Sequence, residues 1–230
     1  IIYIPAGSGA SSTVLKEIGA KVYPYDLFPE FFKVEGLQCL KADIMNNIPV
    51  DDGFADYLLC QEGMEHFSDQ LKVLKEFNRV LKKGGTALIT TPNYSNLKSK
   101  LSYLLAESEY FVKLMPPNEI DSVWMQTGNN NNEIYLGHIF LLGIQKLRIM
   151  AKLAGFRIKK INFVRLNKTS LYLFPLLYPI IYLLNRLSYF RAMRKQTDIP
   201  YKERKDIYRE VLTYNLNPKI LLDAHLFVEL

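Results

Sequence analysis

Two glycines and one acid are the residues of this chain best suited to hold a ligand. Gly7 and Gly9 follow the apolar stretch 1–4, and Asp26 ends a second apolar stretch, 22–25. Glycine lets a ligand approach the backbone because no side chain stands in the way. An acid at the tip of the next strand can accept both hydroxyls of a ribose. This order of residues predicts a site for a nucleoside-containing cofactor.

The residues after Gly9 distinguish three kinds of nucleoside-binding loop. A P-loop requires a Gly-Lys-Ser/Thr sequence, and Gly9 is followed by Ala-Ser-Ser-Thr, so that class is excluded. A dinucleotide-binding loop prefers a third glycine where Ser12 stands, which weakens this alternative but leaves it open. The third class binds a cofactor without phosphate, such as S-adenosylmethionine, and needs only the turn and the ribose acid.

Alternating strand and helix patterns must position these residues. Alternation of this kind predicts an α/β fold with a doubly wound, mostly parallel sheet, whose ligands lie at the carboxyl ends of the strands. Ser68 suits the N-cap of the second helix, and residues 83–85 are predicted to form a turn. The predicted strands cover 1–4, 21–25, 37–41, 56–60, 86–91 and 157–164, and the predicted helices cover 11–18, 68–81, 101–110 and 142–154.

Length and charge divide the chain into two unequal parts. The 230 residues suffice for one α/β domain, predicted over 1–165, and a helical C-terminal appendage over 166–230. Residues 1–150 carry 14 Lys and Arg against 17 Asp and Glu, whereas residues 151–230 carry 15 against 6. Cys39 and Cys60 have no metal-type spacing and are expected to be reduced core residues. Because the chain starts inside a strand, we expect an N-terminal part to be missing.

Six sequence motifs, in this order and at this spacing, resemble the class I S-adenosylmethionine-dependent methyltransferases. The resemblance covers about 1–165 and is strongest with the small-molecule (methyltransferase type 11/12-like) branch. The most specific motif is Arg-Val-Leu-Lys-Lys-Gly-Gly at 79–85, followed by Thr-Thr-Pro-Asn at 90–93. The other motifs are the glycine loop 1–9, Asp26, Lys-Ala-Asp-Ile at 41–44, the strand 54–60 with Glu-His-Phe at 65–67, and 137–139 with Leu-Ala-Gly-Phe at 153–156.

The resemblance implies a seven-stranded Rossmann-like sheet, S-adenosylmethionine as cofactor and no metal site. It assigns Asp26 to the ribose and Asp43 to the adenine amino group, although both could be ordinary strand-end or turn acids. The chain departs from the family pattern at Tyr3, where an acid is usual, and at Pro5, where a glycine is usual. The residues implied in cofactor binding are Pro5, Ala6, Gly7, Gly9, Asp26, Leu27, Asp43, Ile44, Cys60 and Gln61.

Methyl transfer needs alignment of the acceptor and, for a hydroxyl acceptor, removal of a proton. His66 and His138 are the candidate catalytic bases; His66 could instead pack against or cap the next helix, and His138 could contact the substrate. We expect His225 to be structural or exposed. Gln61 and Glu62 either line the pocket or form a simple loop. The resemblance implies O-methylation of a small-molecule, sugar or lipid-linked acceptor; the alternative is a non-catalytic methyltransferase-like binding or scaffold module.

The apolar run 169–184 is the main feature of the C-terminal part. Its roughly 16 residues fall below the ~20 needed to cross a bilayer, and Pro175 and Pro179 interrupt it, so we expect no transmembrane helix. It could be a helix pair that forms a substrate cap or a homodimer face, or an interfacial segment on a membrane. The basic run 202–209 contains acids and is expected to be a solvated helix, without a nucleic-acid partner. We expect a cytoplasmic location, with the inner face of a membrane as an alternative.

Overall fold

A single seven-stranded sheet forms the centre of the computed structural model, which describes residues 1–108, 140–195 and 197–230. The strand order is β3-β2-β1-β4-β5-β7-β6; β1 to β5 run parallel, and β7 is antiparallel to both of its neighbours. The predicted α/β fold is confirmed. The strands are β1 (Ile2–Tyr3), β2 (Tyr23–Asp26), β3 (Leu40–Lys41), β4 (Ala55–Gln61), β5 (Leu81–Pro92), β6 (Lys160–Asn162) and β7 (His225–Glu229).

Helices flank this sheet and form most of the C-terminal part of the chain. In the described residues they are α1 (Ala10–Glu17), α2 (Gln70–Val80), α3 (Leu97–Ala106), α4 (Ile144–Leu153), α5 (Lys168–Lys195), α6 (Tyr201–Leu216) and α7 (Pro218–Leu222), with 3-10 turns at Pro29–Phe31 and Met64–His66. Helix α2 shows why the pattern was readable: Val73, Leu74, Phe77 and Val80 recur at helical spacing and are fully buried in the main core.

The N-cap of α2 is Asp69, so the prediction of Ser68 was wrong. The Asp69 carboxylate accepts a hydrogen bond from the backbone N–H of Lys72 at 2.9 Å. Asp and Ser are both good caps, and in this chain they are neighbours. The local pattern therefore could not select between them.

Strand β5 begins earlier than expected, and the turn predicted at 83–85 lies inside it. Ala55 pairs with Leu81, and two residues later Tyr57 pairs with Thr86. The extra residues of β5 bulge out between these two pairs, where Gly84 has a φ of 83°. Glycine adopts this left-handed conformation at little cost, so the glycines mark a bulge within one strand.

The C-terminal segment 166–230 is helical only as far as Leu222. Its last strand, β7, enters the sheet between β5 and β6, with Leu226 and Val228 buried on the core side. Alternating apolar residues favour this strand, and its position in the sheet depends on contacts with β5 that are distant in sequence. The helical segment therefore connects β6 to β7 along the chain, and these two strands are neighbours in the same sheet.

Helix α5 is one continuous helix of 28 residues that contains both Pro175 and Pro179. The interruption expected at these prolines does not occur. Among the described residues, α5 is long and apolar enough to cross a membrane, with a mean hydropathy of 1.2 in its most apolar window. Length and composition alone are weak evidence for a span, because long apolar helices of other kinds meet the same criterion.

Candidate active site

The glycine loop and Asp26 meet at the carboxyl edge of the sheet, as predicted. The Asp26 carboxylate accepts a hydrogen bond from the backbone N–H of Gly7 at 2.7 Å and another from that of Phe28 at 2.9 Å. These two bonds join the end of β1 to the end of β2 and fix the orientation of the carboxylate. A carboxylate has about four lone-pair sites, so Asp26 keeps acceptor capacity for ribose hydroxyls.

The two loop glycines have different surroundings. Gly7 has a φ of 53°, and a Cβ atom added to it would meet no atom within 4 Å. Gly9 has a φ of 87°, and an added Cβ would collide with Val34 and lie 2.6 Å from the ring of Phe32. Gly7 therefore leaves the backbone open to a ligand, whereas Gly9 makes room for the segment that follows β2.

Leu27 directly follows β2, and Pro5 and Ala6 belong to the loop after β1. The backbone N–H of Ala6 donates to the Tyr25 carbonyl at 2.9 Å, and Ala6 is buried. The Pro5 ring packs so closely on Gly63 that a Cβ there would lie 2.9 Å from the Pro5 Cγ. Pro5, in place of the usual glycine, thus connects the first loop to the loop after β4.

Gln61 ends β4 and receives hydrogen bonds from two hydroxyl groups. The hydroxyl of Ser11 donates to Gln61 Oε1 at 2.6 Å, and that of Tyr3 donates to the same atom at 3.4 Å. Burial raises the pKa of Tyr3, which keeps its hydroxyl protonated. Tyr3 therefore acts as a neutral donor at the position where the family usually has an acid, and it orients Gln61 towards the first loop.

Asp43 and Ile44 follow β3 and have contrasting environments. Asp43 Oδ1 accepts from the backbone N–H of Met45, and Oδ2 accepts from the side-chain amide of Asn46, both at 2.9 Å. The bond from Met45 is that of an Asx turn, the alternative considered for this acid. Ile44 is buried in the main core, as is Cys60, whose thiol pKa is raised well above its usual value by burial.

Glu62 and His225 form a polar pair on the other half of the same edge. His225 Nδ1 lies 3.4 Å from Glu62 Oε1. The Glu62 carboxylate raises the pKa of His225, against a smaller opposing effect of burial. Glu62 has a φ of 47°, a left-handed conformation that is uncommon for a non-glycine residue. The backbone N–H of Glu62 donates to the Thr90 carbonyl at 2.9 Å, which holds the turn against β5.

The topology of the sheet explains the position of His225, which we had expected to be structural or exposed. His225 begins β7 and pairs with Pro92 at the end of β5. Because β7 is antiparallel to β5, its first residue lies at the edge where the parallel strands end. The one signal in the sequence is the short alternating run His-Leu-Phe-Val-Glu, which is typical of a strand.

Glu65 is a buried acid behind this pair. It is fully buried, and burial raises its pKa to about 7. The Thr91 hydroxyl donates to Glu65 Oε2 at 3.0 Å, while Oε1 has no hydrogen-bond partner. A carboxyl group in this setting is stabilised in its neutral form.

His66, one of the two histidines selected from the sequence, lies in the turn that follows β4. His66 ends the 3-10 turn Met64–His66 and is partly buried next to the start of α2. His138 lies outside the described residues. The side chain of Gln70 connects this turn to Phe140. Its Nε2 donates to the carbonyl of Met64 at 2.7 Å and to that of Phe140 at 2.6 Å.

The edge thus has two halves that suit S-adenosylmethionine and an acceptor. On one half, here called the cofactor half, the open backbone at Gly7 and the oriented carboxylate of Asp26 fit a nucleoside without phosphate. On the other half, here called the acceptor half, Glu62 and His225 offer a carboxylate and an imidazole within reach of solvent. In the described residues no group of His, Cys, Asp and Glu side chains is arranged to hold a metal ion.

Comparisons with known proteins agree with this geometry. Residues 3–89 match the model of a family described as a methyltransferase domain. A ubiquinone biosynthesis O-methyltransferase of Xanthomonas campestris is 27% identical over 147 residues, which cover 55% of this chain and 60% of the relative. A related enzyme of the same name from Xanthomonas oryzae is 28% identical over 125 residues, with 50% and 52% covered. The chain therefore spans about 60% or less of the length of these curated relatives.

Two solved structures share the fold over 99% of this chain. They are S-adenosylmethionine-dependent methyltransferases from Archaeoglobus fulgidus, with a TM-score of 0.55, 14% identity and 83% of that chain covered, and from Mesorhizobium loti, with 0.54, 13% and 88%. At this identity they establish the fold alone. The family match over residues 3–89 and the seven-stranded fold shared with these structures support a class I S-adenosylmethionine-dependent methyltransferase domain in this part of the chain.

Proposed function

We propose that this chain transfers a methyl group from S-adenosylmethionine to a hydroxyl group of a small-molecule, sugar or lipid-linked acceptor. The observation that carries the proposal is the pair of Glu62 and His225, which lies on the same sheet edge as the Gly7–Asp26 loop. The cofactor supplies an electrophilic methyl group. The chain must then hold the acceptor oxygen in line and accept its proton.

His225 is suited to accept that proton, with Glu62 as its positioning partner. Nδ1 faces Glu62, so in the neutral imidazole Nδ1–H donates to the carboxylate and Nε2 is the free acceptor. Bound S-adenosylmethionine would supply the methyl group to the acceptor oxygen and leave as the thioether, and Nε2 of His225 would take up the hydroxyl proton. The carboxylate stabilises the resulting imidazolium, in agreement with the raised pKa of His225.

The curated relatives favour oxygen as the acceptor atom. The Xanthomonas proteins are named O-methyltransferases of ubiquinone biosynthesis. These names support oxygen as the acceptor atom. At 27–28% identity they do not identify the acceptor molecule, which an assay must find.

The first experiment measures cofactor binding and methyl transfer with the intact chain. Titration calorimetry with S-adenosylmethionine should give saturable binding. Transfer of a radiolabelled methyl group should then be measured with phenolic, sugar and lipid-linked hydroxyl acceptors and with amine acceptors of matched size. Absence of cofactor binding, or transfer to amines only, would contradict the proposal. Binding without transfer to any acceptor would favour the non-catalytic module.

The role of His225 is tested with His225→Gln beside His66→Gln. Loss of a general base typically lowers the rate by 10² or more, so we expect at least about a 100-fold lower kcat in His225→Gln. The Kd for S-adenosylmethionine should be unchanged, because the pair lies on the acceptor half. A full loss in His66→Gln with normal turnover in His225→Gln would transfer the role to His66.

A further inference from the structure

Helix α5 carries an apolar stripe along its solvent side. The stripe consists of residues spaced three or four positions apart, so they lie on one face of the helix. Their exposed fractions range from 44% at Leu187 to 80% at Tyr172. We define the apolar stripe as Tyr172, Leu176, Ile180, Leu183, Leu187 and Phe190. A contiguous exposed apolar surface of this kind marks an interaction site.

The opposite face of α5 is held by the rest of the molecule. The Tyr178 hydroxyl donates to the Leu216 carbonyl at 3.3 Å, and the Asn215 amide donates to Asn185 Oδ1 at 2.7 Å. At the start of the helix, the backbone N–H of Lys98 donates to the Ser170 hydroxyl at 3.1 Å. These contacts fix which side of α5 faces outward, so the stripe is a stable surface feature.

The same contacts oppose a transmembrane arrangement of α5. Helix α6 packs along α5 and contains the charged run 202–206. If α5 crossed a bilayer, it would either lose its bonds to Asn215 and Leu216 or bring charged side chains into the hydrocarbon, at a cost of several kcal/mol. A helix bound on one side and apolar on the other is suited to lie in the plane of an interface.

The charges of α5 indicate the chemistry of its partner. No acidic side chain occurs between Lys168 and Lys195, and Arg191, Arg194 and Lys195 are exposed at the end of the stripe. Two copies of this helix packed in parallel would place these arginines near each other. An anionic lipid surface would neutralise them, and each basic residue near such a surface contributes about 1 kcal/mol. Tyr172 and Phe190 add aromatic rings of the type enriched at the membrane interface.

We propose that α5 docks in the plane of an anionic lipid bilayer, with the apolar stripe inserted among the acyl chains and the arginines at its end on the headgroups. This inference goes beyond methyl transfer and does not depend on it. The apolar stripe and the basic end of α5 would place the protein on the surface of a membrane.

The test is co-sedimentation of the full chain with phosphatidylcholine vesicles that contain or lack phosphatidylglycerol. We expect binding to the anionic vesicles and much weaker binding to phosphatidylcholine alone. The double variant Leu176→Gln with Leu183→Gln removes apolar contact and leaves the face that packs on α6 unchanged, and it should lower vesicle affinity at least about tenfold. Ile18→Gln with Leu153→Gln is the matched control, because these two residues are about as exposed as Leu176 and Leu183 but lie at the ends of α1 and α4. Vesicle binding by this control should equal that of the parent.

A second pair of variants tests the charge. Arg191→Gln with Arg194→Gln should lower affinity for anionic vesicles about 30-fold, whereas Lys72→Gln with Lys83→Gln should not. Circular dichroism and S-adenosylmethionine calorimetry on each variant report folding and cofactor binding separately, so a failure of docking is distinguishable from a failure of the proposed function.

Three outcomes would overturn the proposal. The first is equal recovery with and without anionic vesicles. The second is a concentration-dependent dimer, seen by light scattering, that the stripe variant abolishes while vesicles fail to bind; this would assign the stripe to a second copy of the chain. The third is membrane association that resists both high salt and alkaline carbonate, which would indicate a spanning helix.

Discussion

The two halves of the sheet edge hold their charged groups in different ways. On the cofactor half, the Asp26 carboxylate is held by backbone N–H groups of Gly7 and Phe28, at the ends of neighbouring strands. On the acceptor half, Glu62, Glu65 and His225 interact mainly through side chains, and the pKa values of Glu65 and His225 are raised. Backbone contacts give a rigid, preorganised site, whereas burial and side-chain pairing raise the pKa values of Glu65 and His225. The first arrangement suits binding, and the second suits proton transfer.

Replacing Asp26 should have the largest effect, because it breaks the cofactor half. Asp26→Ala removes two hydrogen bonds from backbone N–H groups to a charged acceptor, at about 1.5–3 kcal/mol each, so we expect a free energy of unfolding lower by about 4 kcal/mol. The affinity for S-adenosylmethionine should fall at least about tenfold. Urea unfolding and calorimetry measure the two effects. Asp43→Ala is the control, and its unfolding free energy should change by less than half as much, because its bonds close only a local turn.

Glu65 should make stability depend on pH on the acceptor half. Its pKa is raised to about 7 by burial, so the folded state binds the proton more tightly than the unfolded state. Stability is therefore fully present below the unfolded pKa and is lost as the pH rises through the folded pKa, by about 3 kcal/mol in total. Glu65→Gln should remove this loss. Urea unfolding at pH 5 and pH 8 tests it: an equal pH dependence in parent and variant would contradict the role of burial.

Glu62→Gln should shift the pH profile of methyl transfer. The Glu62 carboxylate is the main cause of the raised pKa of His225, and the base form of His225 exists only above that pKa. Without the carboxylate, the acid limb of kcat should therefore move to lower pH. Rates measured across the acid limb test this shift. An unchanged limb would mean that another group supplies it.

Tyr3→Phe should have the smallest effect and sharpens the description of the cofactor half. It removes only the 3.4 Å hydrogen bond to Gln61, while Ser11 still donates to the same oxygen at 2.6 Å. We expect a change in S-adenosylmethionine Kd of less than about threefold. Calorimetry on Tyr3→Phe and Ser11→Ala distinguishes the two donors, and a larger loss in Tyr3→Phe would show that Tyr3 replaces the usual acid directly.

The elements that were predicted well are those with local signals. Strand β4 and helix α2 were located to within two residues at each end because apolar periodicity and burial coincide there. The errors at Ser68 and at 83–85 arose where two local signals were equivalent: adjacent capping residues in the first case, and glycines that suit a turn or a bulge in the second. The sequence predicts a break in α5 at its prolines, but the helix is continuous. Helices α6 and α3 both form hydrogen bonds with it.

The sequence by itself determined the cofactor half of this protein. A strand, a glycine loop and an acid at the next strand end are close in the chain, and parallel strands bring their ends together wherever that order occurs. Only the tertiary structure decided the acceptor half and the outward face of α5. His225 reaches Glu62 because β7 inserts antiparallel beside β5, and the apolar stripe is exposed because α6 covers the other side of its helix. Tyr178 and Leu216 are 38 positions apart, and Glu62 and His225 are 163 positions apart. Contacts over such distances leave no local pattern in the sequence.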